Sequence, residues 1–180
     1  RLNGSFTYPC EFMFVASMNP CPCGYYGSSD KECTCTPQAI TKYMGKISGP
    51  LLDRIDIQIE VSSVKYDKLQ KEEMPETSKE IKIRVDKARN IQRKRYVNEN
   101  IYSNSALTPK LIAKYCKIDK DSKKLLEIAF EKMGLSARAY SRILKVARTI
   151  ADLEEKEVIE KAHIAEAIQY RSLDKKYWKN

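Results

Sequence analysis

From residue 79 to the end of this 180-residue chain, apolar side chains recur at helical intervals. Ile81, Val85, Ala88 and Ile91 share one helical face, with most of the intervening basic residues opposite. Thr108 followed by Pro109 has the signature of a helix start, and that helix continues through Leu111, Ile112, Tyr115 and Cys116. A further helix over 121–133 turns Leu125, Leu126, Ile128 and Ala129 inward and stops at Gly134. Ser136 then caps a long helix with the stripe Tyr140, Ile143, Ala147, Ile150 and Leu153, and a last helix over 161–171 buries Ile164, Ala167 and Ile168. Stripes of this kind are buried by packing helix on helix, so the chain is predicted to be mainly α, with residues 79–180 forming a helical bundle.

The first third reads differently. Residues 12–16 are a continuous apolar run ending just before Asn19-Pro20, which predicts a buried strand and a loop. A helix is expected over 38–47, with Pro37 in its first turn and Ser48-Gly49-Pro50 as its break. Ile55, Ile57, Ile59 and Val61 alternate with polar residues, which predicts a second strand. Residues 1–62 are therefore read as an incomplete α/β segment, since two strands alone leave too much unpaired edge, and residues 63–78 as a polar linker.

With 42% apolar and 32% charged residues, the composition suits soluble globular domains rather than a disordered polymer. No run is long and apolar enough to span a bilayer, and no secretory signal opens the chain, so a cytoplasmic location without membrane contact is expected. The net charge of +9 is uneven: residues 1–62 carry −1 and residues 63–180 carry +10. Residues 79–100 hold 8 basic and 3 acidic side chains, a density that attracts a polyphosphate backbone, or else marks a solvated helical face.

Four of the six cysteines form two Cys-x-Cys pairs, Cys21/Cys23 and Cys33/Cys35. Two thiolate pairs joined by one loop supply the tetrahedral sulfur set that Zn2+ prefers, although Cys-x-Cys is tighter than the commoner Cys-x2-Cys knuckle. Reduced thiols in a loop are the alternative, and disulfides come after that. Cys10 and Cys116 lie in or beside apolar patterns and are read as core residues. No G-x-x-x-x-G-K-[S/T] occurs: Gly45-Lys46 has Ile40 at the first glycine position and Ile47 at the hydroxyl position. His163, the single histidine, is read as structural.

Three stretches together resemble a known family. They are residues 12–27 (FMFVASMNPCPCGYYG), 48–56 (SGPLLDRID) and 135–153 (LSARAYSRILKVARTIADL). In this order they resemble the magnesium-chelatase-like AAA+ ATPases of the ComM/YifB type. The resemblance implies the C-terminal part of such a protein, an incomplete AAA+ core segment followed by a helical lid bundle, with the nucleotide-binding Walker segments upstream. It implies sensor 1 at Asn19, an arginine finger at Arg54 and sensor 2 at Arg138, with Arg142 a second nucleotide-contacting candidate one turn on. It also implies ATP and Mg2+ as cofactors, neighbouring subunits in a ring, expected to be a hexamer, and action on DNA. A chain without a phosphate cradle is expected to show no turnover alone. Two other readings stay open: a non-enzymatic zinc-stabilised nucleic-acid-binding module, and a chelatase-type metal-insertion motor.

Overall fold

The computed structural model describes residues 4, 7, 8, 12–64 and 75–171. Cys10, the greater part of the expected linker and the tail of the expected bundle from 172 to 180 lie outside the described residues. The chain divides into two compact units, residues 1–43 and 44–180.

Among its described residues the first unit contains irregular chain, a turn-rich cysteine loop and most of helix α1 (Pro37–Met44). Thr36 starts α1 by accepting the Ala39 amide on its hydroxyl at 3.2 Å. The helix ends three residues earlier than expected, in a turn closed by the Ile47 amide on the Met44 carbonyl at 3.1 Å.

The second unit begins with α2 (Gly49–Leu52), a single turn capped by Ser48, where the sequence suggested only a break. The bundle follows as α3 (Ser78–Arg95), a 3-10 turn (Asn104–Ala106), α4 (Pro109–Tyr115), α5 (Lys120–Met133), α6 (Ala137–Leu153) and α7 (Lys161–Gln169). Each start has a local cause. Thr77 and Glu80 form a reciprocal capping box at α3, and Thr108, Asp119 and Ser136 accept the amides of Leu111, Ser122 and Ala139. Gly134 ends α5 at φ 61, a left-handed position that costs a side-chain-bearing residue steric strain.

Helix α6 is the centre of the bundle, packing against α3, α4 and α7, while α5 packs on α7. Its buried stripe is Ala139, Ile143, Leu144, Ala147, Ile150 and Ala151, facing Leu126 of α5 and Ile164 and Ala167 of α7 in one apolar cluster. Cys116 belongs to this cluster, as expected, and burial pushes its thiol up to about 11. Tyr140 and Leu153, expected in the stripe, lie at its margin and are exposed, as is Ile128 of α5. The stripe is rotated by about one residue toward the small Ala139 and Ala151, which admit closer helix approach.

Two strand expectations are corrected. Among the described residues there is no strand ladder, only an isolated bridge between Ile118 and Ile159. Residues 12–19 and 57–64 take no regular secondary structure and pair into no sheet, leaving Phe14 60% and Val15 80% exposed, and Ile59 and Val61 exposed as well. An apolar alternation fixes which way side chains face, whereas a strand also needs a hydrogen-bonded neighbour, and no described segment provides one. A third correction concerns α3. From Ser78 to Lys87 every residue is exposed, Ile81, Ile83 and Val85 included, and apart from the exposed Lys87–Glu155 ion pair the helix is buried against the bundle only from Ala88 on.

A buried polar network fastens the end of α3 to the end of α6. Asp152, fully buried, receives two hydrogen bonds from Arg95 at 2.8 and 2.5 Å, one from Arg148 at 3.1 Å and one from Asn104 at 2.9 Å. Arg148 also donates to the carbonyls of Glu157 and Lys156, and Tyr96 donates to Asn104 at 2.6 Å. A carboxylate with this many donors compensates its own desolvation, which an isolated buried charge could not do.

Candidate functional site

The cysteine loop folds because its backbone reverses tightly. Gly24 and Gly27 take φ of 85 and 78, and the amides of Gly24 and Ser28 close turns on Cys21 and Tyr25 at 3.1 and 3.0 Å. The reversal brings Cys33 to 3.7 Å from Cys21 and 3.5 Å from Cys23, with Cys21 and Cys23 3.3 Å apart. All four Sγ atoms, that of Cys35 included, lie within 4.8 Å of one another, and none of these cysteines is in a disulfide. A tetrahedron with metal–sulfur bonds of about 2.3 Å has sulfur–sulfur edges of about 3.8 Å, so the cluster has the size of a four-thiolate zinc site.

The electrostatics agree with that size. The Cys23 thiol is brought down to about 6 chiefly by the Tyr25 amide, with further help from the Cys21 thiol and the Thr34 amide. At Cys21 burial pushes the thiol up, but the amides of Tyr26 and Gly24 and the Cys33 thiol together hold it below the ordinary value. The Cys35 amide favours the Cys33 thiolate, yet burial and the neighbouring sulfurs outweigh it and push that thiol up to about 12. Cys35 is raised in the same way, against the favourable Cys23 amide. The four titrate as one set: amides stabilise the first charges, and those charges then oppose the rest. A divalent cation in the middle reverses that opposition.

Asn19 immediately precedes this loop. A Cβ built on Gly24 would meet its side chain at 3.8 Å, in ordinary contact. Asn19 is exposed and belongs to the first unit, whereas Arg54, Arg138 and Arg142 belong to the second.

Arg54 follows the single turn α2. Its guanidinium is exposed and donates to the Pro50 carbonyl at 2.7 Å. The flanking backbone is held from two helices. Arg171, buried beyond the end of α7, donates to the carbonyls of Leu52 and Ile55 and lies 3.5 Å from the Asp53 carboxylate. The Gln58 amide donates to the Tyr170 carbonyl at 2.9 Å. From α6, Arg142 pairs with Asp56. The structure thus brings Arg142 to the Arg54 loop, while Arg138, in the first turn of α6, is exposed and makes no ion pair among the described residues. Spacing gave no sign of Asp56 or Arg171. Their partners stand 86 and 116 residues away, and the one local clue is that Asp56 directly follows the Asp53-Arg54-Ile55 run.

His163 is structural, as expected: buried, it accepts the Glu160 amide on Nδ1 at 2.9 Å and faces Glu154 from Nε2 at 3.0 Å. The basic stretch 79–100 is partly spent on structure. Arg95 serves the buried network, Arg84 pairs with Glu76 and Lys87 with Glu155, whereas Lys79, Lys82, Arg93 and Lys94 make no ion pair among the described residues. No described helix is long and apolar enough to cross a membrane.

Comparison with known proteins accounts for nearly the whole chain. Residues 75–171 match the family described as magnesium chelatase, subunit ChlI C-terminal, and residues 1–69 match magnesium chelatase, subunit ChlI. The competence protein ComM of Haemophilus influenzae is 42% identical over 174 residues, 96% of this chain and 33% of that protein. The uncharacterized proteins YifB of Escherichia coli and Salmonella typhimurium are 39% and 38% identical over 176 residues, 97% of this chain and 34% of each. The chain spans about one third of the length of these relatives. The two matched segments, and alignments that span nearly the whole chain, place it in one group: this chain belongs to the magnesium-chelatase-like family, alongside ComM and YifB.

Proposed function

We propose that this chain is the sensor and lid portion of an ATP-dependent AAA+ motor that acts on DNA, within a protein about three times its length. The observation that carries the reading is Arg54, a solvent-facing guanidinium on a loop whose backbone is fastened to the bundle on both sides. A guanidinium held outward in this way suits a nucleotide bound by a neighbouring subunit of a ring. There it would stabilise charge that develops on the transferring phosphoryl group, an effect worth about 10³ to 10⁵ in rate.

Asn19 is the group proposed to orient the attacking water or read the terminal phosphate. Arg138, near the positive end of the α6 dipole, is the proposed lid contact to phosphate. Arg142 is the second candidate, available to phosphate only by leaving Asp56. ATP and Mg2+ are the proposed cofactors, a hexameric ring the proposed assembly and the cytoplasm the proposed location. DNA as the object rests on the kinship with a competence protein and on the +10 charge of residues 63–180. In this reading Cys21, Cys23, Cys33 and Cys35 hold a Zn2+ ion, which cross-links the loop and takes no part in hydrolysis.

The test is ATP hydrolysis by the full-length protein, with and without single-stranded or branched DNA, comparing Arg54 with Arg54→Ala. DNA-stimulated turnover, weakened by added salt and lost in the variant, is expected. Turnover indifferent to both DNA and Arg54 overturns the motor. The four-cysteine cluster then favours a zinc-stabilised nucleic-acid-binding module. Stimulation by a porphyrin substrate and none by DNA would instead indicate a chelatase-type motor.

A further inference from the structure

The Arg54 loop is short, and little of it is buried: of residues 49–57 only Leu52 is buried, and Arg54 itself is exposed. A loop this shallow has no core of its own to fix the direction of a side chain. Local hydrogen bonds close its turn, the Arg54 and Ile55 amides on the Leu51 and Leu52 carbonyls among them, and further hydrogen bonds that arrive from elsewhere in the second unit tie that turn down. The main source is Arg171, whose guanidinium lies entirely inside the protein, 1% exposed, and reaches the carbonyls of both Leu52 and Ile55. These two carbonyls bracket Arg54. The same guanidinium faces the Asp53 carboxylate, the side chain immediately before Arg54. Nη1 donates to both carbonyls and Nη2 faces the carboxylate, so the planar fork as a whole defines an orientation that a single point contact could not.

We infer that Arg171 is the positioning residue for Arg54, holding the backbone on either side of it so that its guanidinium projects in one direction. Asp56 and Arg142 form a second, weaker brace from α6, because Asp56 is half exposed and its pairing is screened by water. Arg171 touches no reacting group in this arrangement; it acts only through Arg54. The inference rests on the arginine-finger reading above.

Four forms of the full-length protein test it: native, Arg54→Ala, Arg171→Lys and the double variant, each assayed for kcat and KM with ATP. Lysine keeps the buried positive charge, but its single nitrogen cannot serve the two carbonyls and the Asp53 carboxylate from the separate positions that Nη1 and Nη2 occupy. Misplacing a reacting group by about an ångström can cost about 10²-fold in rate, so Arg171→Lys is expected to lower kcat by about 10- to 100-fold with KM for ATP unchanged. Because Arg171 works through Arg54, the double variant should be no slower than Arg54→Ala alone. A merely structural defect would lower it further. If Arg54→Ala abolishes turnover while Arg171→Lys leaves kcat intact, or if the double variant falls below Arg54→Ala, the positioning role is overturned and the finger reading survives. If Arg54→Ala leaves turnover unchanged, the finger reading fails, and this inference with it.

Should Arg171→Lys not fold, as judged by its circular dichroism melt, Asp53→Asn carries the same test, since Asp53 is the side chain that Arg171 faces. Its side chain is 31% exposed, and a fall in kcat of about 3-fold or more that vanishes in the Arg54→Ala background is expected. No fall in Asp53→Asn would overturn the inference.

Discussion

The cysteine loop and the helical bundle reach order by opposite means. In the bundle, Ile143, Leu144, Ala147, Ile150 and Ala151 of α6 meet Leu126, Ile159 and Ile164 in a continuous apolar cluster, and the buried charged groups Asp152 and Arg148 are hydrogen-bonded to each other and to neighbouring groups. Around the cysteine loop the large apolar side chains point outward. Phe12, Met13, Phe14 and Val15 are all exposed, and the fully buried side chain is Cys21. The first region is defined by water leaving hydrocarbon, which is non-directional and spread over many residues. The second is defined by four sulfur atoms and a few amides, a small number of strongly directional contacts. Damage should therefore be graded in the bundle and all-or-none in the loop.

Four experiments sharpen or break that contrast. The largest effect belongs to the loop. Zinc titrated into metal-free chain should bind once, and Cys21→Ser should abolish tight binding while the helical melt of the bundle stays in place; zinc bound equally well by the variant would end the four-thiolate account. Next comes Asp152→Ala in the bundle. It leaves the buried guanidinium of Arg148 and the largely buried one of Arg95 without their carboxylate, and a loss of about 3–5 kcal/mol in denaturant unfolding is expected. A smaller change follows from Ser136→Ala, which removes the acceptor for the Ala139 amide at the start of α6 and should cost about 1 kcal/mol by the same measurement. Smallest is Val15→Ser. At a site 80% exposed it should move the chain's stability by no more than about 0.5 kcal/mol, and a larger loss would mean that residues 12–18 contribute to a core after all.

The legibility of the sequence divides along the same line. Helices α4 to α7 could be read because their starts and stops are local: Thr108-Pro109, Ser136 and Gly134 act within one turn, and the apolar stripe repeats many times. The capping box of Thr77 and Glu80 was equally local but lay at the edge of what reads as a polar linker. Residues 12–16 and 55–61 carry strand patterns without strand pairing, because a pattern is a property of one segment and a ladder a property of two. Two Cys-x-Cys pairs announced a cluster, since nine intervening residues rich in turn formers favour closure. The surroundings of Arg54 were hidden for the opposite reason. Arg171 and Arg142 reach that loop across most of the second unit, and no spacing rule links residues 52 and 171.

The first half of α3 is exposed to solvent. A helix rises about 1.5 Å per residue, so residues 78–87 extend about 15 Å from the point where Ala88 meets the bundle. At its other end Arg95 is bound to Asp152, and through Asp152 to Arg148 and Asn104. The buried end of the helix is thus tied by charge to α6, the helix that carries Arg138 and Arg142, while its other end stands in water.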